Sequence, residues 1–225
     1  MRCYPMFVSL EGRNCLVVGA GQVGLRKIIS LADCGAGQVL VLERREPDAA
    51  LRELASRPGI SVERRDFAKS DLDGMFLAIA ATSDPALNSR IAALCKARGV
   101  LCNVIDAPEQ GSFIVPSSVV RGDLTIAITT GGHSPALTKT IRKDLQERFG
   151  EEYAQFLRLM GRLRPHVLEL GGETKDNSAL FRGLVGSGLL AALRTVDMRL
   201  AETELKAHLP EELHHLIPEL LDGLA

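Results

Sequence analysis

The sequence predicts an α/β protein: a parallel sheet flanked by helices, then a small β-containing segment, then a helical C-terminal part. Three observations predict it. Short apolar runs alternate with helical stretches up to residue 105, the β-α-β-α-β order of a parallel sheet. A glycine turn separates the first apolar run from the first helical pattern. After Asp106 the rhythm changes to short β-type runs joined by turns, and from Ser134 onward to helical patterns alone.

The elements follow in order. Asn14-Cys15-Leu16-Val17-Val18 is a buried-strand run that ends in Gly19-Ala20-Gly21-Gln22-Val23-Gly24 and continues into helical spacing at Leu25, Ile28, Ile29 and Ala32. A second strand, Gln38-Val39-Leu40-Val41-Leu42, ends at Glu43; a charged helical stretch near residues 48–56 leads to a third strand over 60–64. A fourth strand is expected over 75–81, a helix over 85–98 and a fifth strand over 100–105, their near-continuous apolar character fitting strands covered on both faces. Residues 113–116, 118–120 and 124–129 read as short strands of a small antiparallel extension. Ser134 can cap a helix whose first position suits Pro135, with Leu137, Ile141, Leu145 and Phe149 on one face. Residues 171–177 read as a loop, and 178–223 as Leu-rich helix.

Composition narrows the classes of function. With 46% hydrophobic residues in 225, the chain can bury a sizeable core. Lys and Arg number 27 against 28 Asp and Glu, so the basic excess of a nucleic-acid-binding surface is missing. Residues 1–150 carry 19 basic and 16 acidic side chains, whereas 151–225 carry 8 and 12, so anionic ligands are expected on the first part. The N-terminus shows no signal-peptide pattern and no stretch approaches the ~20 apolar residues of a membrane span, which predicts a soluble, cytoplasmic chain with no membrane partner. Cys3, Cys15, Cys34, Cys95 and Cys102 include no C-x-x-C pair, so buried reduced thiols are expected rather than a zinc site.

The Gly19-x-Gly21-x-x-Gly24 spacing is weak by itself, but here it follows a strand, opens a helix and precedes an acidic residue, Glu43, at the end of strand two. That context is the Rossmann dinucleotide fingerprint. Gly19 permits the tight turn, Gly21 lets a pyrophosphate approach the backbone, and Gly24 allows close helix–strand packing; the amides of Gln22 and Val23 supply positive potential. Glu43 can accept hydrogen bonds from ribose hydroxyls and would repel a 2′-phosphate, favouring NAD over NADP, although Arg44 and Arg45 beside it could neutralise such a phosphate. Thr82 and Ser83, at the end of strand four, are hydroxyl candidates at the cofactor edge; their alternative role is capping the helix begun by Pro85.

With these residues in view, the chain resembles the precorrin-2 dehydrogenase / sirohydrochlorin ferrochelatase family of the siroheme-synthase N-terminal type. The resemblance rests on collinear blocks: Tyr4-Pro5-Met6-Phe7-Val8-Ser9-Leu10-Glu11-Gly12-Arg13, then Arg26-Lys27, then Ala78-Ile79-Ala80-Ala81-Thr82. Further blocks are Asn103-Val104-Ile105-Asp106-Ala107-Pro108, Ser112-Phe113-Ile114-Val115-Pro116-Ser117 and Gly131-Gly132-His133-Ser134-Pro135-Ala136-Leu137. The resemblance implies a homodimer with a Rossmann domain over 1–112, a small mixed β-helix dimerisation region over 113–150 and a helical domain over 151–225. It departs from the family in its glycine turn, where many members show three consecutive glycines, and at Thr130, where some relatives carry a phosphorylatable serine. No methyltransferase domain is expected to follow.

The reaction so implied is the oxidation of precorrin-2 to sirohydrochlorin with NAD as acceptor; some members then insert ferrous iron, and a ferrous or cobaltous ion would be the metal substrate of such a second activity here. Asp106 is the matching general base, with Asn103 and Val104 beside the cofactor. A carboxylate is a weak base, so hydride and proton departure would be coupled through positioning more than basicity. The alternative for Asp106 is a turn residue before Ala107-Pro108. Ser112, Gly131, Gly132 and Ser134 are substrate-lining candidates because amides and hydroxyls can bind the carboxylates of a tetrapyrrole. No resident metal site is expected; His133 in its glycine loop could be a ligand or base, or a polar surface residue. Adjacent His214 and His215 would face different directions on a helix.

Two rival readings remain at this level. A non-catalytic NAD-sensing module would need the glycine turn but no carboxylate at the nicotinamide edge. A short-chain dehydrogenase would need a Tyr-x-x-x-Lys pair, and the only tyrosines, Tyr4 and Tyr153, lack it.

Overall fold

The structure, a computed structural model, describes residues 3–224. They fall into two compact units that divide between Val115 and Pro116. This two-way grouping is coarser than the expected divisions at residues 112 and 150.

The first unit is the predicted parallel sheet. Its strands are β1 (Asn14–Val18), β2 (Gln38–Leu42), β3 (Ile60–Glu63), β4 (Leu77–Ala80) and β5 (Leu101–Val104), in the order β3-β2-β1-β4-β5 with every pairing parallel. The crossovers are helices α1 (Gln22–Asp33), α2 (Ala49–Ala55) and α3 (Pro85–Arg98), with a short 3-10 turn at Lys69–Leu72 between β3 and β4. Successive side chains point to opposite faces, so β1 divides Cys15 and Val17 from Leu16 and Val18. One face packs under α1 with Ile28 and Leu31; the other packs under α3 with Ile91, Ala92 and Cys95. Both faces are buried, which is why each strand reads as an almost uninterrupted apolar run.

Strand order reverses between β1 and β4, and ligands of such sheets bind where that reversal opens a crevice at the carboxyl ends. Residues 113–116, expected as a strand, form none. Ser112 and Phe113 turn their backbone N–H groups onto the Cys102 carbonyl at the edge of β5 (2.8 and 3.4 Å), and Pro116 has no N–H to extend a ladder.

The second unit opens with an antiparallel hairpin, β6 (Ser117–Arg121) with β7 (Leu124–Ile128), followed by α4 (Pro135–Arg148). Ser134 caps α4, its Oγ accepting the Leu137 N–H at 3.2 Å. The apolar stripe of α4 stays largely uncovered: Leu137 is 51% exposed and the helix buries none of its residues. Helices α5 (Glu152–Glu169), α6 (Thr174–Gly186), α7 (Leu189–Arg194), α8 (Met198–His208) and α9 (Ile217–Leu221) then enclose one Leu-rich core around Leu159, Leu163, Leu184, Leu189 and Leu205. The loop expected at 171–177 is shorter, because α6 begins at Thr174. Among the described residues no helix is long and apolar enough to cross a membrane.

Candidate active site

A cleft of about 370 Å³ opens at the carboxyl end of the first unit's sheet, at the β1/β4 reversal. Its floor is the turn after β1. Gly19 has φ +94°, and a Cβ there would lie 2.6 Å from the Ala81 carbonyl oxygen, so the turn can run this close to β4 only as glycine. A Cβ on Gly24 would collide with the Gly19 carbonyl, so α1 packs against the turn through its backbone. Gly21 differs from both: its φ of −65° suits any residue and nothing lies within 4 Å of the place a Cβ would take.

That open space lies at the N-cap of α1, which has no side-chain capping bond. The first-turn amides, including those of Gln22 and Val23, therefore lack a side-chain cap, as an anion site at a helix start requires. The open turn and these uncapped amides fit a dinucleotide pyrophosphate.

Glu43 forms the second wall. It is 8% exposed, its Oε2 accepts the Ala20 N–H at 2.8 Å, and its Oε1 accepts from the Arg45 N–H at 3.0 Å and Nε at 3.3 Å. Burial pushes its carboxyl up, but the Arg45 and Ala20 amides and the Arg45 guanidinium outweigh burial and hold it below the ordinary carboxylate value. It is thus an anchored anion whose remaining lone pairs suit ribose hydroxyls. Arg44 also lines the cleft and lies 3.7 Å from Asp66. Arg65, bidentate to Asp71 at 2.8 Å for both bonds, fixes the loop that brings Asp66 and Phe67 to the rim.

The third wall is the end of β4 and β5. Thr82, Ser83, Ile105 and Asp106 line it, with Asp106 exposed to the cleft mouth. Capping of α3 falls to Asp84, whose Oδ1 accepts from Ala86 and Leu87 at 3.0 and 3.2 Å; Thr82 and Ser83 remain on the cleft wall. The Thr82 hydroxyl is engaged by Asn88, at 2.7 Å from its Oδ1.

Gly19, Gly21, Gln22, Val23, Gly24, Glu43, Arg44, Thr82, Ser83 and Asp106 therefore meet in one cleft. Asn103, Val104 and Ser112 do not line it. The Asn103 amide donates to the Phe113 carbonyl at 3.1 Å, Val104 is packed in the core, and the Ser112 hydroxyl accepts the Cys102 N–H at 2.8 Å. Asn103 and Ser112 serve the edge of β5, and the cleft opens only beyond the strand's end. Gly131, Gly132 and Ser134 lie in the second unit, in the turn between β7 and α4, where Gly131 and Gly132 have φ of +63° and +84°. His133 is exposed in the same turn, its N–H on the Thr130 carbonyl at 3.1 Å. Sequence reasoning missed Asp66, Phe67 and Asn88; only Asn88 carries a signal, being polar at a position in register with the buried Ile91, Ala92 and Cys95. Among the described residues no group of three or more His, Cys, Asp or Glu side chains could hold a metal ion.

A family model described as NAD(P)-binding matches residues 6–117, and one described as sirohaem biosynthesis protein central matches 121–148. The siroheme synthase of Azotobacter vinelandii is 36% identical over 213 residues, covering 93% of this chain and 46% of that protein. The siroheme synthase of Pseudomonas aeruginosa is 37% identical over 216 residues, covering 94% of this chain and 45% of that protein. The chain belongs to the siroheme synthase N-terminal family. It spans about half the length of the siroheme synthases it matches, at 45% and 46%. A solved structure of the precorrin-2 dehydrogenase SirC matches with a TM-score of 0.69 at 25% identity, covering 99% of this chain and 98% of that one. The NAD(P)-binding family model spans every residue that lines the cleft.

Proposed function

We propose that the chain oxidises precorrin-2 to sirohydrochlorin with NAD as acceptor and Asp106 as general base. The observation that carries this is the placement of Asp106: a carboxylate at the mouth of a dinucleotide cleft, beyond the last strand and on the same wall as Thr82 and Ser83. A module that only sensed the cofactor would have no use for a carboxylate held there.

When bound, the nicotinamide ring supplies the two-electron acceptor for the hydride that leaves the substrate. The adjacent substrate position must then lose a proton, and a new carbon–carbon double bond forms. Asp106 takes that proton and returns it to solvent at the cleft mouth. Gly21 and the amides of Gln22 and Val23 hold the pyrophosphate, and Glu43 holds the adenosine ribose. Glu43, held as an anion where the ribose hydroxyls would lie, would repel a 2′-phosphate, which favours NAD over NADP.

The same reading takes the protein as a cytoplasmic homodimer, with residues 113–150 at the subunit contact. The uncovered stripe of α4 and the exposed Val120 on β6 support that assignment.

Purified protein given NAD and precorrin-2 under anaerobic conditions should yield NADH and sirohydrochlorin in equal amounts, with a lower kcat/KM for NADP. Asp106→Asn should lower kcat by about 10²–10⁴-fold while NAD still binds with near-native Kd. A fully active Asp106→Asn protein would take this residue out of the chemistry.

A further inference from the structure

Asn88 is 1% exposed, on the first turn of α3. Its neighbours along the buried stripe, Ile91, Ala92 and Cys95, are apolar, and an aliphatic side chain would continue their packing. A buried amide costs roughly 1–3 kcal/mol if its hydrogen bonds go unmade, so its presence here calls for partners. It has all of them. Its Oδ1 accepts from the Thr82 N–H at 3.2 Å and the Thr82 hydroxyl at 2.7 Å; its Nδ2 donates to the Thr82 carbonyl at 3.1 Å and to Asp106 Oδ1 at 3.0 Å.

The network also settles which way the amide points. Reversed, its oxygen would face both the Thr82 carbonyl and the Asp106 carboxylate, while its NH₂ would face the Thr82 N–H. Thr82, at the end of β4, therefore dictates that a donor is aimed at Asp106. That donor occupies Oδ1; among the described residues Oδ2 has no hydrogen-bond partner.

We propose that Asn88 is a positioning residue of the dehydrogenation: its amide, locked by Thr82, holds Asp106 by Oδ1 and leaves Oδ2 to receive the substrate proton. The proposal rests on the reading of Asp106 as base and adds to it the group that orients that base. Because one amide grips both Thr82 on the cofactor wall and Asp106 at the mouth, it also fixes the spacing between them.

Asn88→Asp tests this. The variant is isosteric and keeps an acceptor for Thr82, but it replaces the donor facing Asp106 with a second carboxyl oxygen, which either repels Asp106 or shares a proton with it. We expect kcat to fall on the order of 10²-fold, while the KM for precorrin-2 and the Kd for NAD stay within about threefold of wild type. Asn88→Asp/Asp106→Asn should be no slower than Asp106→Asn alone, since both changes disable one unit. Asn88→Ser, whose hydroxyl is too short to reach Asp106, serves if the first variant does not fold and should show the same loss confined to kcat.

Wild-type kcat in the Asn88 variants beside an impaired Asp106→Asn protein would overturn the positioning role and leave the base intact. Losses that multiply in the double variant would overturn it too, as would a parallel collapse of NAD affinity and thermal stability. Full activity in Asp106→Asn would instead remove the base itself, whatever the Asn88 variants do.

Discussion

The two units bury polar side chains for different ends. Four of the five buried polar or charged residues among those described lie in the first unit: Glu43, Asp71, Asn88 and Asn103. Three of these four converge on the cleft: Glu43 as a wall, Asp71 by anchoring the Arg65 loop, and Asn88 by gripping Thr82 and Asp106. The second unit buries one, Glu152, and it ties the start of α5 to the end of α7 through Arg194. Burying a polar group is costly, so several polar groups converging on one cavity mark a site, whereas one paired between two helices marks a clamp.

The sharpest attack on this comparison uses the cleft glycines, which separate folding from binding. Gly19→Ala combines a positive-φ penalty with a Cβ lying 2.6 Å from the Ala81 carbonyl oxygen, a backbone atom at the end of β4. We expect a loss of roughly 3 kcal/mol or more, a fall of about 6–12 °C in Tm for a chain of this size. Gly21→Ala should leave Tm within about a degree, because its φ is ordinary and its surroundings are open. It should weaken NAD binding by about tenfold or more, since the added methyl takes the space of the pyrophosphate. Thermal unfolding with and without NAD reads both effects. Equal Tm losses with unchanged NAD affinity in Gly21→Ala would show that the phosphates do not lie over this turn.

Glu152 supplies the next largest effect, and it tests whether the second unit's buried charge is only a clamp. Burial pushes its carboxyl up, yet the Arg194 guanidinium and nearby backbone amides prevail and hold it below the ordinary value. A depressed folded-state pKa gives stability that is present above the unfolded value, ~4.3, and lost as pH falls through the folded one. Glu152→Gln should therefore cost roughly 1.5–3 kcal/mol at pH 7, and that deficit should close as the pH drops below about 4. NAD affinity should not move. A deficit that persists in acid would assign the residue's contribution to packing, and a change in NAD binding would contradict the separation of roles.

How much of this was legible in the sequence follows the same division. The parallel sheet could be read because strands buried on both faces are nearly all apolar, as Cys15 to Val18 are. The run at 113–116 misled because apolar β-type residues also line the irregular segment that Ser112 and Phe113 fasten to Cys102. The gathering of Gly19, Gly21, Gly24 and Glu43 in one cleft was legible because their placement depends on spacing within one β-α-β unit. Asp106 came from its family block at the end of β5. Asn88 was not found, because its partners lie 6 and 18 residues away and a lone polar residue on a helix does not announce them. Asn103 and Ser112 misled for the converse reason: their polar atoms are used by the backbone of their own edge. The Glu152–Arg194 pair, 42 residues apart, left no local trace.

The smallest expected effect lies at Val196, the only described non-glycine residue with positive φ, at 56°. It follows α7 in the position where a helix turns left-handed: its N–H bonds the Leu193 carbonyl at 3.1 Å, and the Asp197 N–H reaches back to Ala192 at 2.9 Å. That double closure usually falls on glycine, and a β-branched residue pays about 1–2 kcal/mol for the conformation. The turn is held because Asp197 must at once cap α8, accepting the Leu200 N–H at 3.0 Å, so the chain has no slack in which to relax. The valine side chain is 55% exposed and its removal forfeits little burial. Val196→Gly should therefore stabilise the protein by about 0.5–1 kcal/mol, after the greater unfolded-state entropy of glycine is set against the relieved strain, raising Tm by about 1–4 °C. Activity and NAD affinity should be unchanged, because strain at a helix junction in this unit serves the turn and not the reaction. A destabilised Val196→Gly protein would mean that the exposed valine is covered in the assembled molecule, and would turn this position from a strained turn into a contact.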